Sequence, residues 1–522
     1  MKAALAILIA FLLGGGSGPS LPLPPAEATS SITASDLRRH LSFLASDELG
    51  GRYALGQSSL IAARYLASQL QSYGYRGAAR DRSFLQKVPL VFRHLDPNGS
   101  VATLNSAGVA HQFRYGDDYI STMPSAFSFA GSMVFVGYGI NSTPGGSGSY
   151  TGPDLKGRVV VAMTGRPDSL QADIPSADED RLLIDARSRG AAGLIVIPRG
   201  KQMVTWSALK FQQLTQTISI ATPREYTNGP HMVYAGPKLI QALATLLGKP
   251  EDYLRVDDGN PRPPAQLNAT IEMAVKVEVK ETPPACNVAG ILEGSDQKLK
   301  NEYVVFSAHY DHLQARENGE PYNGADDDGS GTVSVLEIAQ ALSIGPRPKR
   351  SILIIFHTAE ELGLFGSEFN TDYQPVVPLD RLVADFNVDM VGRSRPAGDT
   401  DPRDANLSDK DSIFLIGSGK LSTELRALSE QTNFETARLR LDYLYDDDNN
   451  PERLYYRSDH YNYAKHGIPV IFYFTGLHRD YHQTTDDVDK IDFEKMERIA
   501  RMILATGWRV ANLDHRIAVN KK

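Results

Sequence analysis

The chain of 522 residues contains one cysteine, Cys286, so it cannot form a disulfide within itself. It also lacks an excess of positive charge, because 62 Asp and Glu outnumber 54 Lys and Arg and leave a net charge of −8. Long hydrophobic runs are missing too, since the run from Ala3 to Leu13 is well short of the roughly 20 residues that span a bilayer. These features exclude a small disulfide-stabilised fold, and they predict no nucleic-acid partner and no membrane span.

The N-terminus has the composition of a secretory signal. A positive charge at Lys2 precedes the apolar run Ala3 to Leu13, and small residues and prolines follow. Ala26-Glu27-Ala28 has the small-x-small pattern of a cleavage site. We therefore expect residues 1–28 to be a signal peptide and the mature protein to be exported, to the periplasm or outside the cell.

The length predicts more than one domain. We expect a main domain built from residues 35–109 and 276–522, interrupted by a strand-rich domain at 110–275. In the main domain, helical segments alternate with short apolar runs. This alternation predicts an α/β fold, a mostly parallel sheet with helices on both faces. Its strands are predicted at Tyr303–Ser307, Ser351–Phe356, Leu382–Val388, Ile413–Ile416 and Pro469–Phe474.

Side chains that can bind metals follow four of these strands. Since ligands bind at the carboxyl ends of parallel strands, these side chains are expected to converge. They are His309, Asp311, the run Asp326-Asp327-Asp328, Glu360, Glu361, Asp389 and His482, with Tyr481 beside the last.

Histidine and carboxylate ligands without a thiolate favour zinc, with manganese or cobalt as substitutes. Two histidines and three acids exceed the needs of one open four-coordinate site. They suit two ions about 3.5–4 Å apart that share a bridging carboxylate. Of the neighbours Glu360 and Glu361, one would bind an ion and the other would accept a proton from water. The acidic run 326–328 would then face a pair of dications, which offsets the repulsion between its carboxylates.

Six motifs in order resemble the co-catalytic dizinc exopeptidases of peptidase family M28: SAHYDH, NGADDDGSG, HTAEELGLFGS, NVDMVG, RSDH and YHQTTDD. The segment HLSFLASDELGGR resembles the start of that family's catalytic domain, so the resemblance covers about 36–100 and 286–512. The strand-rich insertion resembles a protease-associated domain through FVGYGI and DLKGRVVV.

This resemblance implies an aminopeptidase that removes N-terminal residues from peptides with two zinc ions. It implies one ion on His309, Asp327 and Asp389, with Asp327 bridging to a second ion that Glu361 and His482 also hold. Glu360 would be the general base, Asp311 would orient His309 through its other ring nitrogen, and Tyr481 would polarise the substrate carbonyl.

Other functions share the fold. A carboxypeptidase acting on acidic C-termini usually carries a further helical domain. A glutaminyl cyclase needs one zinc, and transferrin-receptor-like binding proteins have lost the ligands that this chain keeps.

Ser458-Asp459-His460 is not expected to be a serine triad, because triad members come from separate elements. Asp446-Asp447-Asp448 is interpreted as a solvated loop, and His312, His357, His466 and His478 as ordinary structural histidines. The sequence gives no indication of the oligomeric state.

Overall fold

A computed structural model describes most of the chain. The described residues are 21–121, 125–139, 154–165, 179–198, 217–221, 231–256, 260, 262–447 and 449–521. The apolar core of the predicted signal peptide, Ala3 to Leu13, lies outside these residues, as do Asp448 of the acidic loop and the last residue of the FVGYGI motif.

Eleven α-helices lie within the described ranges. In chain order they are α1 (Ala26–Ser31), α2 (Ala34–Leu44), α3 (Gln57–Ser72), α4 (Glu179–Ser188), α5 (Pro237–Leu246), α6 (Asp252–Arg255), α7 (Gly331–Ser343), α8 (Phe365–Glu368), α9 (Thr423–Glu435), α10 (His460–Ala464) and α11 (Phe493–Asn512). None of these described helices combines the length and the apolar composition that crossing a membrane requires.

The strands form two sheets. In chain order they are β1 (Arg76–Gly77), β2 (Leu85–Val88), β3 (Leu90–Ser106), β4 (Val109–Arg114), β5 (Tyr119–Ser121), β6 (Phe127–Phe135), β7 (Val159–Met163), β8 (Gly193–Ile197), β9 (Thr217–Ile220), β10 (His231–Ala235), β11 (Ala265–Glu281), β12 (Ala285–Leu292), β13 (Tyr303–His309), β14 (Ser351–His357), β15 (Leu382–Val388), β16 (Ser412–Ile416), β17 (Arg440–Asp442) and β18 (Val470–Phe474).

The chain divides into two compact units. Unit 1 comprises residues 1–88 and 283–522, and unit 2 is Pro89–Thr282. The predicted limits of the insertion, 110 and 275, are therefore too narrow. The reason is that β3 and β11 pair along nearly their whole lengths, which puts both strands in the sheet of unit 2.

The sheet of unit 1 has the order β1-β12-β14-β13-β15-β18-β16-β17, with β2 also on β12. Its central strands β14, β13, β15 and β18 are parallel, whereas β12 and β16 join them antiparallel. The predicted α/β fold is confirmed, and its parallel part is the centre of the sheet. All five predicted strands are present within a residue or two of their expected ends.

Helices cover both faces of this sheet, as the pattern of β13 shows. Val304, Phe306 and Ala308 pack in a core shared with α2, α3, α7 and α11. Tyr303 and Val305 point the other way, into a second core beside α10. Because both faces are covered, every residue of β13 is buried, as expected for a central parallel strand.

Helix α1 conflicts with the predicted end of the signal peptide. The pattern Ala26-Glu27-Ala28 lies inside α1, and Ala28 is buried in the main core of unit 1. Cleavage after residue 28 would remove half of a packed helix. A processing point before Pro25 keeps this helix whole.

Unit 2 has its own sheet, of order β4-β3-β11-β6-β7-β8-β10-β5, with β9 also on β3. Strands β6, β7, β8 and β10 are parallel, and the long strands β3 and β11 are antiparallel. A separate hydrophobic core fills this unit. The strand-rich character predicted for the insertion is present in the described residues.

Candidate functional site

The predicted ligands meet at the carboxyl edge of the central parallel strands. His309 is the last residue of β13 and Asp389 directly follows β15, while Glu360 and Glu361 follow β14. Their side chains line a cavity of about 50 Å³ together with Asp327, Tyr481 and His482. Asp311 is fully buried and does not line it. Residues spread over more than 170 positions of the chain thus share one site.

Asp327 lies between two pairs of side chains. Its Oδ1 is 3.4 Å from His309 Nε2, and this nitrogen is 3.6 Å from Asp389 Oδ1. Its Oδ2 is 3.1 Å from His482 Nε2, which in turn is 3.2 Å from Glu361 Oε2. Each oxygen of Asp327 therefore belongs to a different group of potential ligands.

These spacings fit a pair of tetrahedral ions. Zinc ligands sit about 2.0–2.2 Å from the ion, so two ligands of one tetrahedral ion are roughly 3.4 Å apart. The distances around Asp327, from 3.1 to 3.6 Å, bracket that value. Glu360 Oε2 is farther from His309 Nε2, at 3.9 Å. Glu360 nevertheless lies close enough to His309 and Asp389 to share an ion with them.

The electrostatics of the site favour a cation. Burial disfavours a charged His309, but Glu360 and Asp389 outweigh it and raise its pKa well above the usual range. Burial also opposes a charged His482, yet Asp327 and Glu361 raise its pKa to about 10. The carboxylates thus create a negative potential that divalent ions would neutralise.

The outer acids of the run 326–328 bind the main chain. Asp328 accepts from the N–H groups of Gly331, Met390 and His309, at 2.9, 3.1 and 3.2 Å. Asp326 accepts from Gly392 N at 2.6 Å and faces His478 Nε2 at 3.1 Å. These bonds hold the loop and leave Asp327 as the acid of the run that lines the cavity.

A buried arginine from the N-terminal segment holds the same loop. Arg52 is 1 % exposed, and its guanidinium donates to the main-chain carbonyls of Leu44, Tyr310, Asn323 and Gly324. Tyr310 lies between His309 and Asp311, and Gly324 precedes the acidic run. Sequence reasoning did not single out Arg52, although it ends the SDELGGR motif.

Replacing Arg52 by methionine should destabilise the protein strongly. The change removes the donor from the buried carbonyls of Leu44, Tyr310 and Asn323, whereas Gly324 keeps its bond from Gly329 N, and it costs about 3–5 kcal/mol in the free energy of unfolding. Denaturant titration measures this loss. Arg440→Met is the control, because Arg440 is exposed and its bond to Asp409 lies at the surface. Equal stability of the two variants would contradict the assigned role.

The contact between Asp311 and His309 differs from the predicted one. His309 Nδ1 lies 3.1 Å from the main-chain carbonyl of Asp311, whereas the carboxylate is 3.9 Å away. The Asp311 carboxylate instead accepts from the N–H of Glu360 at 3.2 Å. Burial raises the pKa of Asp311 to about 7. Asp311 thus orients His309 through its backbone and Glu360 through its side chain.

Among the predicted site residues that line the cavity, Glu360 and Tyr481 remain once the ligand pairs around Asp327 are set aside. Burial raises the pKa of Glu360 well above its ordinary value, and Glu361 and Asp389 add to this against the opposing effect of His309. Burial also raises the pKa of Tyr481, and its ring stacks on His482 at 3.9 Å between centroids. Tyr481 therefore stays a neutral hydrogen-bond donor at physiological pH.

Ser458 supports the site and does not act as a nucleophile. Its Oγ donates to Asp389 Oδ2 at 2.7 Å and accepts from Asn387 Nδ2 at 2.9 Å. His460 is fully buried, and burial lowers its pKa to about 3. The adjacent Ser458-Asp459-His460 therefore forms no serine triad, as expected.

The buried Asp385 predicts a pH-dependent stability. Burial raises its pKa to about 8, against the opposing bond from Ser307 Oγ. An unfolded aspartate titrates near 3.9, so the folded chain keeps a proton that the unfolded chain releases. Stability that is present below pH 4 is therefore lost as the pH rises toward 8.

Asp385→Asn should remove this loss, because asparagine cannot ionise and can still accept the Ser307 bond. The free energy of unfolding of Asp385→Asn, taken relative to that of the unmodified chain, should be about 2–4 kcal/mol higher at pH 8 than at pH 4. Urea titrations at the two pH values measure the change, with the exposed Asp514→Asn as control. Parallel pH profiles of all three proteins would contradict the prediction.

Two histidines that the sequence pattern marked as ordinary structural residues do contact residues of the site or of its acidic loop. His312 Nδ1 lies 2.6 Å from Glu361 Oε1, and His478 contacts Asp326. The signal in the sequence was the position of His312 inside SAHYDH. By contrast, His357 bonds to Tyr463 and His466 to Asp372, away from the cavity lining. In the acidic loop near 446, Asp446 accepts from Gly417 N.

An α/β sheet with histidine and carboxylate groups at the carboxyl edge of its parallel strands defines a candidate metal-dependent hydrolase. Residues 287–507 match the model of peptidase family M28, and we assign this segment to that family. The resemblance seen in the motifs is confirmed for this part of the chain.

Curated relatives carry aminopeptidase names. The chain is 32% identical over 171 residues to aminopeptidase YwaD of Bacillus subtilis, which covers 32% of this chain and 34% of that protein. It is 28% identical over 248 residues to a probable leucine aminopeptidase of Arthroderma otae, covering 46% and 60%. The chain thus spans about a third to three-fifths of the length of these two relatives.

Solved structures with a similar chain path include an aminopeptidase from Aneurinibacillus sp. strain AM-1. It aligns with 95% of this chain and 98% of its own, at 19% identity and a TM-score of 0.47. The zinc aminopeptidase BSAP from Bacillus subtilis aligns with 95% and 96%, at 19% identity and a TM-score of 0.42.

Proposed function

We propose that this protein is an exported zinc-dependent aminopeptidase that hydrolyses peptides from the N-terminus with two ions in its site. The observation that carries the proposal is Asp327, whose two oxygens face separate His and carboxylate pairs. The family assignment of residues 287–507 and the names of the relatives support the reaction class.

The positions of the histidine nitrogens and carboxylate oxygens indicate which residues would hold the ions. His309, Asp327 and Asp389 would bind one, and Asp327, Glu361 and His482 the other. When bound, the pair supplies Lewis acidity, which makes a water nucleophilic at neutral pH and polarises a carbonyl. Manganese or cobalt can occupy sites of the same ligand type.

Glu360 would act as the general base. It lines the cavity, and its raised pKa gives it the affinity for a proton that this role requires. It would take a proton from the attacking water and pass it to the leaving amine. Tyr481, held neutral beside His482, would donate a hydrogen bond to the oxygen on which negative charge develops.

The apolar part of the cavity wall favours an apolar first residue in the substrate. It is formed by five side chains: Met390, Leu454, Phe472, Phe474 and Leu477. A hydrophobic side chain gains binding free energy there, because its apolar surface is removed from water. The carboxylates in the same cavity suit the positive charge of a free amino terminus.

A panel of substrates tests this function. Aminoacyl anilides and N-blocked dipeptides are assayed before chelation, after chelation and after zinc is restored. Chelator-sensitive release from free-amine substrates, fastest with leucine or phenylalanine, is expected. Hydrolysis of blocked dipeptides alone would instead identify a carboxypeptidase, and two bound ions without any hydrolysis would favour a cyclase or a binding protein.

Unit 2 is proposed to be a protease-associated domain. The support is its strand-rich sheet and the sequence motifs near 135 and 155.

Export is proposed from the composition of the first residues. Mass spectrometry of the mature N-terminus, after expression of the full chain, is expected to show processing before Pro25. A retained Met1 would contradict export through this segment.

A further inference from the structure

His312 is a buried group at the site to which the proposed reaction gives no role. It is fully buried beside the second group of ligands. Its Nδ1 is 2.6 Å from Glu361 Oε1 and 3.8 Å from Asp327 Oδ2, and its ring meets that of His482 edge-on at 5.7 Å. His312, Asp327 and Glu361 could therefore also be read as three ligands of one ion.

The shortest of these distances decides against ligation by His312. Two ligands of one tetrahedral zinc lie roughly 3.4 Å apart, so atoms separated by 2.6 Å are hydrogen-bonded partners instead. Because an ionised carboxylate can only accept, Nδ1 of His312 carries the proton and donates to Oε1.

We infer that His312 is a positioning residue that makes Glu361 bind the second ion through one oxygen, an inference that rests on the two-ion site of the proposed function. With Oε1 engaged by His312, Oε2 is the oxygen left to face His482, at 3.2 Å. A carboxylate that bound through both oxygens would fill two positions on the ion. Binding through one keeps a position open for water, as catalytic zinc requires.

The packing around the imidazole keeps it in this orientation. Gly324, with φ +53°, closes over the ring, and a Cβ there would lie 2.5 Å from His312 Cδ2. Within the described residues, Nε2 is buried and has no hydrogen-bond partner. A flipped ring would lose the bond to Glu361, so the contact through Nδ1 is the one that the site maintains.

Two substitutions separate the hydrogen bond from the volume of the side chain. In His312→Asn the amide nitrogen can take the place of Nδ1, whereas His312→Leu has a similar volume and no donor. The full chain is stripped of metal and titrated with zinc against a chromophoric chelator. Glu361→Gln is titrated in parallel to identify which binding step belongs to the second ion.

We expect His312→Leu to weaken the step that Glu361→Gln weakens, by about 10- to 100-fold, and to leave the other step unchanged. His312→Asn should restore binding to within a few fold of the unmodified chain. Cobalt-substituted samples provide a second readout, since the absorption bands should shift in the leucine variant and not in the asparagine variant.

Unchanged binding in His312→Leu would overturn the inference, and so would equal losses in both variants, which would assign the role to ring shape. Loss of both steps together would overturn it as well. The aminopeptidase proposal stands or falls separately, on the hydrolysis of free-amine substrates by the unmodified chain. A chain that binds zinc as expected here and hydrolyses nothing would reject that proposal and keep this inference.

Discussion

Glu360→Gln is expected to lower kcat by about 100- to 10,000-fold while KM changes little. Glutamine has nearly the size of glutamate and can still donate its main-chain N–H to Asp311, but its side chain cannot accept a proton from water. The loss therefore falls on the chemical step. Steady-state kinetics with an aminoacyl anilide and a metal determination on the same sample measure it.

Glu361→Gln is the matched control, because the two residues are neighbours of the same type with different proposed tasks. It should lose zinc along with activity, whereas Glu360→Gln should keep both ions. A Glu360 variant with activity near that of the unmodified enzyme would reject the general base. A Glu360 variant that lost an ion would make Glu360 a ligand.

Asp327→Asn should abolish activity and weaken both ions together. The substitution removes the negative charge and leaves one oxygen where two are needed, one toward His309 and one toward His482. A loss of 100-fold or more in affinity at each step is about 3 kcal/mol per ion. Competitive zinc titration with analysis of the bound stoichiometry measures the effect.

The variant Asp389→Asn distinguishes a carboxylate that bridges two ions from a carboxylate that binds one ion. Asp389 contacts His309 but neither His482 nor Glu361 in the described hydrogen bonds and ion pairs, so this variant should lose affinity for one ion only. If Asp327→Asn also lost a single ion, Asp327 would not bridge.

Local patterns were enough to locate most of the site. Apolar runs such as Ser351–His357 are fully buried, and a metal-binding group lies at or after the end of four of them. Because the carboxyl ends of parallel strands share an edge, chain position alone predicted that His309, Glu361 and Asp389 would meet. The middle acid of the run 326–328 was identified from the motif, whereas the main-chain bonds of its two neighbours became visible only in the structure.

The limits of unit 2 could not be read from local patterns. Pairing between β3 and β11 joins residues that lie more than 150 positions apart, and the alternation within each strand does not reveal its partner. Local patterns also do not show how the end of the predicted signal peptide relates to the packed core. The residues Ala26-Glu27-Ala28 match a cleavage pattern, but burial of Ala28 depends on helices from the other end of unit 1.

The amino-acid sequence by itself determined the α/β fold class, the strands of the main domain and the set of residues at the site, since these follow from periodicity and from short motifs. Only the tertiary structure decided how that set is connected. Arg52 acts through carbonyls of residues nearly 300 positions away, and His312 acts through one oxygen of Glu361. Such contacts depend on distances of a few tenths of an ångström between folded elements, and no spacing along the chain encodes them.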